Sequence, residues 1–509
     1  MPEVLKGALL SRYSRSSLPL RDLFIKEYVN NEEFDISKYM ENLQSFDQSQ
    51  SALNTEKAKK FYSKWLAMYG DDSIAELSGI HIAVENISVL ATKSIEDRRI
   101  GISPLEKSTR YVRFDDKVDG KYQYYRDPEV IASKYGAAYI TTLDLMFETY
   151  STLLEPMSEY FRNKFPKPED VSDTAYATSI RAKACDTLRG LLPAATLTNM
   201  GFLANGRAVE YLLTKMYATP LTEVKEIAKE IHAESQSFIG NFVERLETES
   251  GIQNLDYYTE LEKSSWKLGE EFRYDKPTKL NNRYVHMTEY DKDGESKIIA
   301  STLFQATNLP YESLLQKSYS MSPKQKGEII DNIIGLRKAR WNRPPKSFEE
   351  IYYSFEILSD MGAYKDLMRH RVLSSYKQLF TTELGYLVPA EIIEAGFEKQ
   401  YSSPMDLADN LYQMMKTDFP FQAQYLTGHG HLLRWRLKMN LREAYHLCEL
   451  RSSPQGHPSY RLIAQEIYKL IESVHPTLAR GMKFVNMQDP GLERLSAEVR
   501  KEQRLNAMK

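Results

Sequence analysis

Three side chains that can carry positive charge stand side by side in the stretch LMRHRVLSSY, residues 367–376: Arg369, His370 and Arg371. Arginine offers planar, paired donors that match phosphate oxygens, and histidine adds a donor or a stacking surface. Three such residues at the end of an element suit a diphosphate or the electron-rich edge of a flavin. The alternative is a helix C-terminus that collects cations.

A second group of polar residues occurs in ISPLEKSTRYVRF, residues 102–114. Glu106, Ser108 and Arg110 alternate, so an extended segment would present all three on one side. An acceptor, a hydroxyl and a guanidinium on one face could hold a nucleotide. The alternative is an edge strand with a solvated, charged face.

Two further stretches place arginines among apolar residues. Arg189 lies four positions before Pro193, where it either pairs with a buried acid or faces a ligand. Asn440 and Arg451 are 11 positions apart, about three helical turns, so they share a helix face. Such a face can also be a simple polar stripe. No metal site is predicted, because His429 and His431 lack a supporting cysteine or a His-Glu-x-x-His spacing.

The composition limits the classes of protein to which the chain can belong. With 509 residues, the chain is long enough for two to four domains, and 42% apolar and 27% charged residues are ordinary for a globular protein. No apolar run reaches the roughly 18 residues of a membrane span, and the N-terminus lacks the apolar core of a secretion signal. Two cysteines favour a reducing cytoplasm, and a net charge of −3 argues against a nucleic-acid binder.

The sequence also repeats itself at the scale of a domain. NGRAVEYL at 205–212 and NLREAYHL at 440–447 share Asn-x-Arg and a helical apolar pattern, and each is followed by a proline and another amphipathic segment. We therefore predict an α+β fold of two helix-rich repeats, each with a small sheet packed by long helices. Turns at Asp119-Gly120 and Asp293-Gly294 predict two hairpins. The predicted domains are a first repeat at 1–255, a linker at 256–280, a second repeat at 281–490 and a charged tail at 491–509.

Taken in order, these motifs resemble the flavin-dependent thymidylate synthase family, whose signature has the form RHRxxSxNExSxRY. The second repeat keeps Arg369-His370-Arg371 and Ser374, and the first keeps the other end as Glu106-x-Ser108-x-Arg110-Tyr111. The family's Arg-x-x-x-Pro survives only in the first repeat, at Arg189, and its late arginine only in the second, at Arg451. The first repeat has Asp97-Arg98-Arg99 as a degenerate start and Met216 in place of the late arginine. The losses are thus complementary, so a site composed from both repeats is expected.

The resemblance implies reductive methylation of dUMP to dTMP, with FAD as cofactor and methylenetetrahydrofolate and NADPH as co-substrates. It implies a role for Arg451 in stabilising negative charge on the uracil ring. By the same resemblance the FAD residues are Arg369, His370, Arg371, Ser374 and Asn440. The dUMP residues are Glu106, Ser108, Arg110, Tyr111 and Arg189. The family is tetrameric, so a tandem chain implies a homodimer with four repeats.

Two other functions fit the same residues. One is a non-catalytic homologue that binds flavin or nucleotide, and the other is a flavoenzyme that acts on a different pyrimidine nucleotide. Asp366 stands where the family has a glutamine nucleotide contact, and an acid there could change the substrate. Flavin retention without turnover would favour the first alternative.

Overall fold

The computed structural model of the protein describes residues 6, 9–10, 12–14, 16–26, 72–98, 100–272, 284–488, 491–492 and 494–507. The α-helices of these residues are α1 (Leu20–Phe24), α2 (Asp72–Leu77), α3 (Val89–Glu96), α4 (Pro128–Ala132), α5 (Gly136–Lys164), α6 (Asp173–Leu188), α7 (Gly206–Ala218), α8 (Thr222–Val243), α9 (Glu249–Leu268), α10 (Gly294–Phe304), α11 (Tyr311–Tyr319), α12 (Pro323–Gly335), α13 (Met361–Leu367), α14 (Ala390–Glu394), α15 (Glu398–Met415), α16 (Leu441–Arg451), α17 (Pro458–Val474), α18 (Pro476–Ala479) and α19 (Leu495–Ala507). The strands are β1 (Gly79–Ser88), β2 (Ile102–Glu106), β3 (Lys117–Val118), β4 (Lys121–Tyr122), β5 (Leu197–Asn205), β6 (Val285–Tyr290), β7 (Tyr352–Asp360), β8 (Leu373–Lys377) and β9 (Leu432–Asn440). No helix among the described residues is long and apolar enough to cross a membrane.

The chain divides into two compact units, each built from two separate stretches. Unit 1 consists of Met1–Lys107 and Leu197–Lys276, and unit 2 consists of Ser108–Thr196 and Pro277–Lys509. The middle of the predicted first repeat therefore packs with the second repeat. The repeat boundaries predicted from the sequence describe a different division, and they stay a prediction.

Unit 1 contains a three-stranded antiparallel sheet in the order β1-β5-β2. Buried and exposed residues alternate along β5, as expected for a strand with one face against helices. The turn into α7 is fixed by Asn205, whose side-chain oxygen accepts a hydrogen bond from Ala208 N at 2.8 Å. Ser88 caps α3 in the same way through Ala91 N.

Unit 2 contains a four-stranded antiparallel sheet in the order β6-β7-β9-β8. Three of its strands repeat the arrangement of unit 1, since β7, β9 and β8 occur in the same chain order and the same spatial order as β1, β5 and β2. Asp360 caps α13, and Asn440 caps α16 through Glu443 N at 2.8 Å. The shared order of strands and caps confirms the predicted α+β fold with two repeats.

The stretch Ser108–Thr196 adds helices α5 and α6 to unit 2, where α5 packs against α6 and α15. Pro193 pairs in an antiparallel bridge with Gly428, which is the corresponding position of the second repeat. Ala194 N donates to Thr427 O at 2.8 Å, and His429 N donates to Leu192 O at 2.9 Å. Because corresponding positions contact each other, this junction has the local two-fold geometry of an isologous interface.

Glycine permits the close approach at this junction. A Cβ atom on Gly428 would lie 2.7 Å from the carbonyl oxygen of Gly190, closer than real Cβ atoms approach backbone. The carbonyl cannot move away without breaking its hydrogen bond from Gly430 N at 2.9 Å. The sequence Gly428-His-Gly430 is therefore part of the junction between the repeats.

One of the two predicted hairpins is present. The strands β3 and β4 turn at Asp119 and Gly120, which both have positive φ. The other prediction is wrong: β6 pairs with β7, and Asp293-Gly294 begins helix α10. The apolar run after Gly294 is buried as a helix face, which a short apolar run does not distinguish from a strand.

The predicted linker at 256–280 is helical through Leu268, because α9 spans Glu249–Leu268. Its residues 273–280 lie outside the described residues, as does Arg99 of the degenerate first signature. Residues 256–268 thus lie in a helix with no fully buried residue, and the assignment of 256–280 as a linker stays a prediction. Within the charged tail, α19 occupies Leu495–Ala507.

Candidate functional site

A buried cluster of charged residues in unit 2 joins residues that the sequence places far apart. Arg110 lies in a turn that Ser108 begins: Arg110 N donates to Ser108 Oγ at 3.2 Å. Its guanidinium binds both carboxylate oxygens of Asp186 on α6, with the shortest contact at 2.7 Å. It also donates to the hydroxyl of Tyr460 at 3.1 Å and to the carbonyl of Gln455 at 3.2 Å. Arg110, from the first repeat, thus contacts the start of α17 in the second.

Arg189 makes a second link between the repeats. Its Nη1 lies 3.3 Å from Asp366 Oδ2 on α13, and the side chain is buried. Gly362 leaves room for it, because a Cβ there would lie 2.7 Å from Arg189 Nη2. The Nη2 atom is buried, and no hydrogen-bond partner for it exists among the described residues. Arg189 therefore has donor capacity that its pairing with Asp366 leaves unused.

The acids of this cluster stay ionised. Burial alone would raise the pKa of Asp366, but Arg189, Arg110, Arg369 and Arg451 outweigh it and hold that pKa well below its usual range. Burial likewise opposes ionisation of Asp186, and Arg110 and Arg494 lower its pKa to about 2. Asp360, which accepts from Ser459 Oγ, differs, because burial raises its pKa to about 6 despite Arg189.

Arg451, His370 and Glu443 form a hydrogen-bonded chain. Arg451 Nε donates to His370 Nε2 at 2.9 Å, and His370 Nδ1 lies 2.6 Å from Glu443 Oε1. An arginine can only donate, so Nε2 must accept and the ring proton must sit on Nδ1. His370 is therefore neutral and donates to Glu443. The guanidinium of Arg451 also lies over the ring of Tyr460, 5.7 Å from its centroid.

The raised pKa of Glu443 makes the stability of the protein depend on pH. Burial raises that pKa from 4.5 to about 7, although His446 and Arg343 lower it. An acid with a raised pKa binds protons more tightly in the folded chain. Its contribution to stability is therefore complete below pH 4.5 and is lost as the pH rises through about 7.

We predict that Glu443→Gln, which cannot ionise, removes this loss. From pH 5 to pH 8 the free energy of unfolding of the variant should rise relative to wild type by on the order of 2 kcal/mol. Urea unfolding at the two pH values measures the difference, and Glu472→Gln, on the exposed side of α17, is the control. If the free energies of unfolding of Glu443→Gln and wild type differ by the same amount at both pH values, the raised pKa assigned to Glu443 is wrong.

His446 completes a group of possible metal ligands with His370 and Glu443, whose ligand atoms lie within 4.8 Å of one another. The hydrogen bonds argue against a metal there. Arg451 occupies Nε2 of His370, so a metal on Nδ1 would require the ring to lose its remaining proton. The arrangement fits a chain that holds Arg451 in place.

The other site residues predicted from the sequence lie outside the cluster around Asp186 and Asp366 or have other partners. Glu106 belongs to unit 1, where its buried carboxylate lies 3.4 Å from Lys93 Nζ. The expected extended segment from 106 to 110 is wrong, because β2 ends at Glu106 and a turn follows. Arg371 and Ser374 are exposed, and Arg369 is half-buried. Asn440 uses its side-chain oxygen for the cap of α16.

Four residues of the cluster were not predicted from the sequence: Asp186, Asp360, Tyr460 and Arg494. Asp186 lies three positions before Arg189, within the stretch that drew attention to an arginine in apolar surroundings. A search for the acid that such an arginine needs could have found it. Arg494 lies in the charged tail, and no local signal distinguishes it from the other basic residues there.

The arginine cluster, defined as Arg110, Arg189, Arg369, Arg451 and Arg494, exceeds its acids in charge. Among the residues that the structure describes, and near neutral pH, the five guanidinium groups outnumber the three carboxylates of Asp186, Asp360 and Asp366 by two. Glu443, on the far side of His370, titrates near neutrality and reduces this excess only in part. A partly buried excess of this size is suited to a dianion such as a phosphate monoester.

Comparison with known proteins gives two kinds of relatives. The family model described as "Thymidylate synthase complementing protein" matches residues 27–239 and 287–477. The UPF0159 protein of Chlamydia muridarum is 39% identical over 503 residues, covering 98% of this chain and 94% of the relative. The UPF0159 protein Ta1429 of Thermoplasma acidophilum is 31% identical over 522 residues, covering 97% and 98%.

Solved structures match shorter stretches. Thymidylate Synthase X from Helicobacter pylori with FAD and dUMP is 19% identical and covers 39% of this chain and 99% of its own, with a TM-score of 0.29. The UMP/dUMP methylase PolB from Streptomyces cacaoi bound with 5-Br dUMP is 12% identical and covers 39% and 94%, with a TM-score of 0.30.

Proposed function

Because this chain belongs to the Thymidylate synthase complementing protein family, we propose that it catalyses the FAD-dependent reductive methylation of dUMP to dTMP. Methylenetetrahydrofolate supplies the carbon, and NADPH supplies the hydride, two electrons and one hydrogen, that converts the methylene into a methyl group. One further proton, with the proton lost from uracil C5, completes the two N–H groups of tetrahydrofolate. Uracil C5 loses a proton as it gains the carbon, and tetrahydrofolate and NADP⁺ are released. The enzyme acts in the cytoplasm as a homodimer.

The observation that carries this proposal is the arginine cluster of unit 2. Its excess of positive charge matches the negative charge of the dUMP phosphate. Its residues come from both repeats, as expected if each repeat has lost the motifs that the other keeps. Arg110 and Arg189 would hold the phosphate, with Ser108 and Tyr111 beside Arg110 in the turn at 108–111. Glu106 stays a predicted nucleotide contact. The substrate site proposed in unit 2 is thus composite.

Arg451 is the proposed catalytic residue. Activation of uracil C5 as a nucleophile builds negative charge on the ring oxygens, and a guanidinium fixed in position stabilises that charge. The chain from Glu443 through His370 fixes it. Unit 1 has the buried, apolar Met216 at the corresponding position of α7. We therefore propose one working site per chain, in unit 2.

The residues near β8 suit FAD in part. Arg371 and Ser374 are exposed beside β8, the last strand in the order of the sheet, and Arg369 precedes them. Arginine side chains match a diphosphate, so these three would hold the cofactor. His370, which the sequence predicted as a cofactor residue, has both ring nitrogens engaged, and the role we propose for it is to position Arg451. Bound FAD would carry electrons from NADPH to the transferred carbon.

A visible absorption titration tests the proposal. We expect purified protein to bind FAD stoichiometrically, and the flavin band to shift on addition of dUMP. We predict that Arg369→Ala weakens FAD binding by at least about tenfold, because a charge-assisted contact is lost. Arg480→Ala, on an exposed residue of unit 2, is the control.

Turnover is then assayed as dTMP formation with methylenetetrahydrofolate and NADPH. Absence of flavin uptake would contradict the proposal. Flavin and dUMP binding without turnover would favour the non-catalytic alternative. Flavin oxidation with a nucleotide other than dUMP would favour a different pyrimidine substrate.

A further inference from the structure

Arg494, in the C-terminal segment just before α19, has a buried guanidinium with unused donors. The residue is 4% exposed. Its Nη2 lies 3.3 Å from Asp186 Oδ2, whereas Nε and Nη1 are buried, and among the described residues no acceptor lies within hydrogen-bond distance of either atom. Leaving such donors without an acceptor is costly, because the water lost on burial is not replaced. The position therefore calls for an acceptor.

Asp186 cannot supply the acceptor that Arg494 lacks. Both of its carboxylate oxygens are already engaged by Arg110, at distances of 2.7 to 3.1 Å. Arg494 reaches only one of them, at a longer distance. Two guanidinium groups thus share one carboxylate, so this corner of the cluster keeps one positive charge. A bound anion would balance this positive charge and would supply the acceptors that Nε and Nη1 of Arg494 lack.

The guanidinium of Arg494 is also held in a defined orientation. It lies over the ring of Tyr111, 4.0 Å from the ring centroid, which is the geometry of a cation–π contact. Tyr111 follows Arg110 in the turn at 108–111, so one turn positions both arginines around Asp186. A planar guanidinium held by its face presents its edge donors to a ligand, and paired edge donors match phosphate oxygens.

We propose that Arg494 is a phosphate-binding residue of the nucleotide site, so that the C-terminal segment completes the site from outside the two repeats. This inference rests on the proposed function, in that the phosphate is taken to be that of dUMP. Binding of the phosphate group links α19 to α6 and to the turn at 108–111. Deoxyuridine, which lacks the phosphate, gains nothing from Arg494.

Calorimetric titration of the full chain with dUMP and with deoxyuridine tests the inference. For Arg494→Met we expect the Kd for dUMP to rise by about 10- to 100-fold and the Kd for deoxyuridine to change less than about threefold. Arg500→Met, on an exposed residue of α19, should leave both constants unchanged. Equal dUMP affinity in Arg494→Met and wild type would overturn the inference, as would an equal loss for both ligands.

A measurement on the wild-type protein covers the case in which Arg494→Met fails to fold. Trypsin cleaves after exposed basic residues of α19, which include Arg500 and Arg504. If the phosphate bridges this segment to the cluster, dUMP should slow that cleavage several-fold and deoxyuridine should not. The same rate with and without dUMP would overturn the inference.

The two proposals fail in different ways. If wild-type protein binds no dUMP, the proposed function fails. If wild-type protein binds dUMP and neither Arg494→Met nor the cleavage rate shows an effect, only the role of Arg494 fails.

Discussion

Replacing Arg451 with alanine is expected to lower the rate of dTMP formation by about 10²- to 10³-fold, the usual cost of removing one donor that stabilises developing negative charge. Bound FAD should be retained, because Arg451 is hydrogen-bonded to His370 and is not one of the three residues proposed to hold the cofactor. The affinity for dUMP should fall less than the turnover rate. Steady-state rates, together with the flavin spectrum of the purified variant, measure the effect.

Two control variants sharpen this prediction. Arg436→Ala removes an exposed arginine from β9, the strand that leads into α16, and should leave turnover unchanged. Arg451→Lys keeps the charge but cannot donate from the same position to His370, so most of the loss should remain. Full activity in Arg451→Ala would show that the catalytic assignment is wrong.

Replacing Arg189 with methionine is expected to raise the Kd for dUMP by about 100-fold, because charge-assisted hydrogen bonding from Nη2 to the phosphate is lost. The unused Nη2 of Arg189 is the donor that the phosphate would take up. The same change lowers the positive excess of the cluster by one charge. Calorimetric titration with dUMP measures the effect, and Arg181→Met, an exposed arginine of the same helix α6, is the control.

Asp366 makes the charge argument testable without removing an arginine. Asp366→Asn deletes one of the three carboxylates that face the arginine cluster, so dUMP should bind several-fold more tightly. In the double variant Arg189→Met with Asp366→Asn the charge excess returns to two, and part of the lost affinity should return. Unchanged dUMP affinity in Arg189→Met would contradict the assignment of the phosphate site.

Local sequence patterns were sufficient to predict the elements that are stabilised by interactions between residues close in the sequence. The two copies of Asn-x-Arg predicted two corresponding helices, and in both copies the asparagine caps its helix through a backbone hydrogen bond three residues ahead. The turn at Asp119-Gly120 needs positive φ, which these residue types tolerate. The prediction failed at Asp293-Gly294, where burial of the following apolar residues, rather than turn chemistry, decided between helix and strand.

The sequence by itself determined that the chain is a tandem pair, that each repeat had lost part of one set of motifs, and which arginines stand in apolar surroundings. Only the tertiary structure decided which of these residues meet. Arg110 and Arg189 join the second repeat because the stretch 108–196 packs into unit 2 through the junction at Pro193 and Gly428, whereas Glu106, two positions before Ser108, stays in unit 1. The physical reason is that a buried guanidinium requires an acid, and its acids, Asp186 and Asp366, are brought within reach only when separate helices pack together. Arg494 illustrates the same point, since nothing in its neighbourhood in the sequence distinguishes a residue of the cluster from a solvated charge.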